Sequence, residues 1–415
     1  MNILFLTIGT FDNFEVGSVH IDIVKALARK GHNMYVACTN TNQNVENVSI
    51  EQQKGVHLLR IKTGAVKKNT NLVKKGIATI MLEQTFIKAI KKHLDVVKFD
   101  LVLYHTPPVT FEKVVRFIKE RDGAASYLLL KDIFPQNAVD LGMMSKHGLK
   151  GFVYRYFRKK EIRLYAASDY IGCMSPANVK YLLDHNPFLS PQRLEVAPNS
   201  IEPNDNFKFK SNIEAAKKQT EKTFIRRKYG LPLDKPIFIY GGNLGKPQGI
   251  DYLISCLDQV KDRHDCLFLV VGDGSEYPKI QKWYEGQDCN AVRVLRSLPK
   301  DDYDVLARSC DVGLIFLDHR FTIPNYPSRL LSYLVAKMPV LCSTDPNTDV
   351  GRIAEENGYG YWCESVKPES FTALVDKILN SDMRAMGNRG YEFLCKNYLA
   401  EHTCNAILKH FENEL

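Results

Sequence analysis

The chain contains no run of about 18 apolar residues, so no membrane-spanning helix is expected. None of its ten cysteines, scattered from Cys38 to Cys404, forms a C-x-x-C pair or stands at zinc-finger spacing with histidines. Neither a disulfide framework nor a bound metal is therefore expected, and the cysteines read as small buried residues. The apolar opening Met1–Leu6 is too short for a secretory leader and lacks both a basic front and a small-residue cleavage site. It reads as a first buried strand, which makes the cytoplasm the expected compartment. There is no internal repeat, no low-complexity tract and no recognisable nucleic-acid module, so nucleic acid is not an expected partner.

What is present is a globular composition. The 415 residues are 45% hydrophobic and 25% charged, enough for two or three domains with their own cores. The net charge of +9 is uneven: residues 1–200 hold 28 Lys and Arg against 17 Asp and Glu, and the remainder holds 28 against 30. Part of the excess lies in Lys67-Lys68, Lys74-Lys75, Lys88, Lys91-Lys92 and Lys98, interleaved with Leu72, Ile77, Ile80, Met81, Phe86, Ile87 and Ile90. Two readings stand side by side, a basic amphipathic helix resting on an anionic membrane and a solvated helix face.

Short apolar strands alternate with amphipathic helices along the whole chain, the pattern of parallel sheets covered on both faces. In the first half, strands are expected at Ile3–Ile8, Met34–Cys38, Val56–Ile61, Leu101–Tyr104, Ser126–Leu130, Tyr170–Met174 and Leu194–Ala197. A helix is expected over Gly17–Lys30, stopped by Gly31. Residues Pro203–Arg227 turn polar and Lys-rich, and the strand pattern restarts at Pro236 with Ile237–Tyr240, Cys266–Val271, Val292–Leu295, Val312–Leu317 and Val340–Cys342. The expected architecture is α/β, with two doubly wound, Rossmann-like domains facing across a cleft. The boundaries are 1–203 for the first domain, 204–228 for a linker, 229–385 for the second domain, and 386–415 for a terminal helix packing back toward the first. Such sheets bind ligands at the carboxyl ends of their strands.

Four segments at those ends carry possible chemistry. Gly241-Gly242-Asn243-Leu244-Gly245-Lys246-Pro247-Gln248-Gly249 is a glycine-rich strand-to-helix turn, suited to phosphate but neither a Walker loop nor a clean G-x-G-x-x-G. Gly272-Asp273-Gly274 ends the next strand. Pro327-Ser328-Arg329 opens a helix, and a guanidinium there matches phosphate oxygens. In the first half, Asp132 follows a strand, where a carboxylate can act as a base or orient a sugar hydroxyl. Gly17-Ser18-Val19-His20 and His105-Thr106-Pro107-Pro108 face the same edge. Each segment also has a purely structural reading, as a tight turn, a helix cap or a core histidine.

As an ordered set, these segments resemble bacterial GT-B glycosyltransferases of the retaining type called group 1 or family 4, in the branch that builds capsule, O-antigen and exopolysaccharide repeats. The likeness runs through Gly17, Gly31-His32, Lys131-Asp132-Ile133-Phe134-Pro135, Val196-Ala197-Pro198-Asn199-Ser200, Gly242–Gly249, Gly272–Gly274, Pro327–Arg329 and Met338-Pro339-Val340. It implies a nucleotide-diphosphate sugar, with UDP the favoured nucleotide, as co-substrate and no cofactor or metal. Donor contacts are implied for Gly17, Gly242, Asn243, Gly245, Lys246, Gln248, Gly272, Asp273, Gly274, Pro327, Ser328, Arg329 and Ser332, with Asp132 facing the transferred sugar and His20 and His105 on the acceptor side. The implied acceptor is a lipid-linked glycan, reached through peripheral contact with the inner face of an anionic membrane. The chain departs from the family pattern where relatives carry an Arg and a Lys in the glycine-rich loop, which here holds Asn243 and Gln248. The Glu-x7-Glu pair is also missing, with Pro324 and Ser332 at its positions. A nucleotide-sugar 2-epimerase of the same fold and a non-catalytic sugar-nucleotide-binding partner are the alternatives.

Overall fold

A computed structural model describes residues 1–11, 14, 17–40, 48–63, 72–202 and 212–411, leaving aside the side chains of residues 72–80, 149–150 and 212–219. The chain divides into two compact units, Met1–Glu202 with Ala400–Leu415, and Pro203–Leu399.

The first unit is built on strands β1 (Asn2–Leu6), β2 (Asn33–Asn40), β3 (Val48–Gln53), β4 (Val56–Lys62), β5 (Leu101–His105), β6 (Ala125–Leu130), β7 (Tyr170–Cys173) and β8 (Leu194–Val196). They form one sheet in the order β3-β4-β2-β1-β5-β6-β7-β8. All neighbours are parallel except β3, which runs antiparallel to β4. Ile3, Leu4, Phe5 and Leu6 are all buried, as expected for a central strand covered on both faces. The edge strand β3 escapes the sequence pattern because Ser49, Glu51, Gln52 and Gln53 interrupt any apolar run. Its register is set by the two-residue turn Lys54-Gly55, both with positive φ (50° and 79°), the backbone a tight hairpin needs.

The helix Val19–Arg29 starts where the Ser18 hydroxyl accepts the Ile21 amide at 3.3 Å. It shares a core with Cys404, Ile407 and Leu408 of the terminal helix Ala400–Leu408. The return to the first unit therefore begins at Ala400, whose amide donates to the Ile201 carbonyl, and not at Met386. The preceding helix Met383–Asn397 belongs to the second unit, where Met386, Gly387, Gly390 and Leu394 are buried.

The helix Leu72–His93 corrects the membrane reading of its described half. Leu82, Phe86, Ala89 and Ile90 face the core, with the Phe86 and Phe111 rings 5.1 Å apart, while Lys88, Lys91 and Lys92 are exposed. That half is a core helix with a solvated face. Lys67-Lys68 lie outside the described residues, as do the side chains of Leu72, Lys74-Lys75, Ile77 and Ile80.

The second unit carries β9 (Ile237–Asn243), β10 (Leu267–Asp273), β11 (Val292–Leu295), β12 (Val312–Phe316), β13 (Val340–Thr344) and β14 (Gly360–Glu364), all parallel, in the order β11-β10-β9-β12-β13-β14. Part of the expected linker is structured. Residues 203–211 lie outside the described ones, but Asn212–Lys228 is a helix. Its buried Arg226 donates to the carbonyls of Ser309, Pro232 and Lys235 and to the Asp311 carboxylate, which Lys222 also reaches at 2.5 Å. Asp311 in turn accepts the Ile237 amide at the start of β9 at 2.8 Å. In its described half this helix is anchored by ion pairs, with Ile225 its one buried apolar side chain there, so hydrophobic periodicity could not show it.

A buried ion cluster ties three helices of the first unit. Lys160 Nζ lies 2.7 Å from Glu83 and 3.6 Å from Glu112, all three side chains being nearly inaccessible. Removing Lys160 leaves the buried Glu83 carboxylate without a cation, while Glu112 keeps Arg116 at 2.7 Å. Lys160→Ala is therefore expected to cost about 3–5 kcal/mol of unfolding free energy in urea titration; a loss below about 1 kcal/mol would show that the cluster does not brace these helices.

Candidate functional site

In each sheet the strand order reverses once, between β1 and β5 and between β9 and β12, and a doubly wound sheet opens its ligand crevice at such a reversal. In the second unit, β9 leads at this point into the glycine-rich turn. Gly242 has φ 121°, and Gly249, with φ 58°, caps the helix Ile250–Val260. A side chain on Gly241 would meet the Tyr303 hydroxyl at 1.8 Å, so the tyrosine fills the space that the glycine leaves. The turn is locked to its neighbours. Leu244 donates to Asp273 O and Glu276 to Leu244 O, both at 2.9 Å, and the Asp318 amide donates to Pro247 O at 3.0 Å.

Most peptide nitrogens of this turn already have acceptors. Gln248 Oε1 takes the Gly245 amide and the Asn243 side-chain amide, each at 3.1 Å. Gln248 and Gly249 donate to Gly245 O and Lys246 O, and Gly274 donates to the Asp273 carboxylate. The glycine-rich turn thus offers less open N–H surface than its sequence suggests, and the cations beside it matter more. Lys246 is exposed and makes no ion pair among the described residues. Asp273 is exposed and paired with Arg296 at 2.9 Å, whose guanidinium also lies 4.0 Å from the Tyr277 ring.

Arg329 is the most unusual cation here. Its guanidinium sits 4.3 Å from the centre of the Tyr240 ring and beside Gly242, where a Cβ would lie 3.6 Å from Nη2. No carboxylate pairs with it among the described residues, and its buried Nη1 has no hydrogen-bond partner; neither does the buried Tyr303 hydroxyl. Tyr333 completes the aromatic surround, its hydroxyl donating to Ile239 O at 3.2 Å or Leu314 O at 3.3 Å and accepting the Gly241 amide at 3.2 Å. A guanidinium held this way lacks the counter-ion that a buried charge requires.

The segment around it differs in detail from expectation. The helix starts at Arg329, not at Pro327, because Leu330 and Leu331 donate to Pro327 O and Ser328 O in a tighter first turn. Ser328 is exposed and caps no amide, while Ser332, half-buried one turn on, makes no side-chain hydrogen bond among the described residues. The approach to Pro327 is held by a fully buried carboxyl that sequence reasoning missed. Asp345 accepts the amides of Asn347 and Thr348 at 2.9 Å and the Thr348 hydroxyl at 2.8 Å, and Thr348 accepts the Asn325 amide at 2.9 Å. Burial pushes the Asp345 carboxyl up to about 6.

In the first unit, the β1–β5 reversal gathers His20 and His105, their rings stacked with centres 4.0 Å apart. His105 Nε2 shares a hydrogen bond with the Thr7 hydroxyl at 2.8 Å. Next to it, the Thr106 hydroxyl accepts the amides of Lys131 and Asp132 and donates to Asp132 O, fixing the loop after β6. Asn137 Nδ2 donates to both Asp132 carboxylate oxygens at 2.9 Å. Burial raises the Asp132 carboxyl to about 6, although the backbone amide of Ile133 and the Asn137 amide pull it down. Burial lowers the adjacent Lys131 to about 7, its Nζ donating to Ala197 O at 3.2 Å. Gly17 lies against the buried Asp22 carboxylate, 3.0 Å from where its Cβ would be, a poor neighbour for a phosphate.

Within the second unit, then, the fold brings together Gly242, Asn243, Gly245, Lys246, Gln248, Gly272, Asp273, Gly274 and Arg329. Within the first it brings together His20, His105 and the Asp132 loop. The residues that sequence reasoning missed are Tyr240, Tyr303, Tyr333, Arg296 and Asp345. The only local signal for the tyrosines was the presence of glycines opposite them, at Gly241 and at Gly313, where a Cβ would lie 2.3 Å from Tyr333.

Two family models match the chain, glycosyltransferase family 4 over residues 16–205 and glycosyl transferases group 1 over residues 221–393. A probable glycosyltransferase, WbjE of Pseudomonas aeruginosa, is 25% identical over 332 residues, covering 79% of this chain and 77% of that protein. A putative colanic acid biosynthesis glycosyl transferase, WcaI of Escherichia coli K12, is 26% identical over 196 residues, 46% of each chain. The solved structure of HepE from Anabaena in complex with UDP superposes with a TM-score of 0.67 at 13% identity, covering 100% of both chains. With the two matched segments accounting for most of its length and falling one on each Rossmann-like unit, the chain belongs to the group 1 and family 4 glycosyltransferases of the GT-B fold.

Proposed function

We propose that this glycosyltransferase moves a sugar from UDP, the preferred nucleotide among its possible donors, to a lipid-linked glycan in the synthesis of a bacterial surface polysaccharide such as capsule, O-antigen or exopolysaccharide, with retention at the anomeric carbon. The supporting observation is Arg329, a guanidinium at the β9–β12 reversal with no carboxylate partner among the described residues. A departing nucleoside diphosphate gathers negative charge as the glycosidic bond breaks, and a fixed cation in a surround of low polarity stabilises that charge strongly. Lys246 adds a second, mobile cation at the mouth of the turn. The colanic acid role named for WcaI favours a surface polysaccharide as the product, and the UDP bound to HepE favours that nucleotide.

Asp132 supplies the complementary chemistry. A carboxyl raised to about 6 by burial is ionised at neutral pH yet close enough to titration to take a proton or orient a sugar hydroxyl. The nucleotide sugar enters this reading as co-substrate, with no resident cofactor. Because the acceptor is lipid-linked, the chain acts at the inner face of an anionic membrane.

Arg329→Ala is expected to weaken UDP binding by about 1–3 kcal/mol, the scale of a charge-assisted contact; equal affinity for both proteins in titration calorimetry would remove Arg329 from the donor site. Turnover should rise with pH through about 6 as the Asp132 carboxyl loses its proton, and Asp132→Asn should abolish that step. A rise that persists in the variant would assign it to another group. UDP-N-acetylglucosamine incubated without acceptor should yield no epimer, and accumulation of the 2-epimer would move the chain to the isomerase reading.

A further inference from the structure

The helix Gly148–Ala167 of the first unit presents an unusual outer face. Phe152 is 67% exposed, Val153 49% and Tyr156 40%, and Met143, just before the helix, is 60% exposed. Between Lys146 and Arg163 the sequence holds seven Lys or Arg and one acidic residue, Glu161. The helix sorts them by side. Arg158 turns to Glu161 and to Asn186, while Lys160 is buried against Glu83. Lys146, Arg155, Lys159 and Arg163 remain exposed, and none has a carboxylate partner among the described residues. Arg155 instead lies 4.5 Å from the Phe152 ring.

We propose that this face, centred on Phe152 and Tyr156 and rimmed by Lys146, Arg155 and Lys159, is the surface by which the protein docks on an anionic lipid bilayer. Apolar side chains at the centre enter the headgroup boundary, and the surrounding cations meet lipid phosphates. The charge pattern selects this occupant over a second copy of the chain, because a symmetric contact would set unpaired cations against one another. The buried side of the same helix bears on the candidate acceptor loop, with the Phe157 ring 5.1 Å from that of Phe134, two residues after Asp132. Docking there would hold the Asp132 loop close to a lipid-linked substrate. This last link rests on the proposed acceptor, whereas the docking surface stands without it.

The test is co-sedimentation of the full chain with vesicles of phosphatidylcholine, with and without phosphatidylglycerol. Binding should require phosphatidylglycerol and fall as salt rises. Phe152→Ser with Tyr156→Ser, and separately Arg155→Glu with Lys159→Glu, should each weaken it by about tenfold or more. Lys91→Glu with Lys92→Glu, on the other basic helix, should leave it unchanged. Urea unfolding midpoints equal to that of the parent chain show that the variants fold. In a Phe152→Trp variant, fluorescence should shift to the blue on vesicles and be quenched by brominated acyl chains. Undiminished binding in both face variants would overturn the assignment, and so would loss only in the Lys91/Lys92 variant. A wild-type chain that ignores vesicles, but whose self-association in sedimentation velocity is lost in the face variants, would give the surface to a second copy. UDP affinity measured on the same variants keeps a failure here distinct from a failure of the donor reading.

Discussion

The second unit is organised around a positive charge that the protein leaves unneutralised. Arg329 rests on the Tyr240 ring and beside the Gly242 backbone, and no carboxylate among the described residues approaches it. The aromatic face offers only part of the solvation that water would give. The cost is sustained by the structure around it. Tyr333 bonds the carbonyls and amide at the β9–β12 reversal, Tyr303 occupies the space opened by Gly241, and Asp345 ties down the segment leading to the helix. A scaffold that rigid keeps the cation from relaxing onto a substitute partner, which is the condition for fixed charge to act on a transition state.

The first unit treats charge differently. Where burial serves the fold, charges are paired, as in Lys160 with Glu83 and Glu112 or Arg158 with Glu161. Where burial coincides with a strand's carboxyl end, they are not. Lys131 and Asp132 are neighbours in sequence, yet Lys131 bonds a backbone carbonyl and Asp132 an amide side chain. Both are drawn toward neutrality by burial, one from above and one from below. Buried pairs hold elements together, whereas buried groups with shifted titration mark where chemistry is poised.

The parallel strands other than β14 were legible in the sequence because strands buried on both faces are nearly continuous apolar runs, whereas β14 is a half-buried edge strand that the sequence pattern does not show. The glycine-rich turns were legible because their backbone angles restrict residue choice. What escaped had no local signature. The edge strand β3 is polar, and the helix Asn212–Lys228 is fixed by Arg226 and Lys222 on Asp311, residues more than 80 positions apart. The tyrosines around Arg329 come from three separate elements, and only the fold shows that they converge. The basic helix ending at His93 misled for the opposite reason: its apolar stripe is real, but in the described half it faces the core. A stripe of that kind shows that a face is buried without showing against what.

The departures from the family pattern fit this physical account. Where relatives place cations in the glycine-rich loop, this chain has Asn243 and Gln248, which bond each other and take up the Gly245 amide. The exchange trades open donors for a stiffer turn. A stiffer turn holds Gly242 in its φ 121° conformation, beside the Arg329 guanidinium. Loss of charge at two loop positions and isolation of one deep guanidinium are then parts of the same arrangement. In the proposed reading, electrostatic stabilisation rests mainly on this one pre-positioned group, with Lys246 the cation that the loop retains. Ser332, one helical turn beyond Arg329, follows the same logic. A glutamate there would sit within reach of Arg329 and could neutralise it, since side chains three apart on a helix share a face. A serine there leaves the guanidinium without a carboxylate on its own helix face, as the proposed donor role requires.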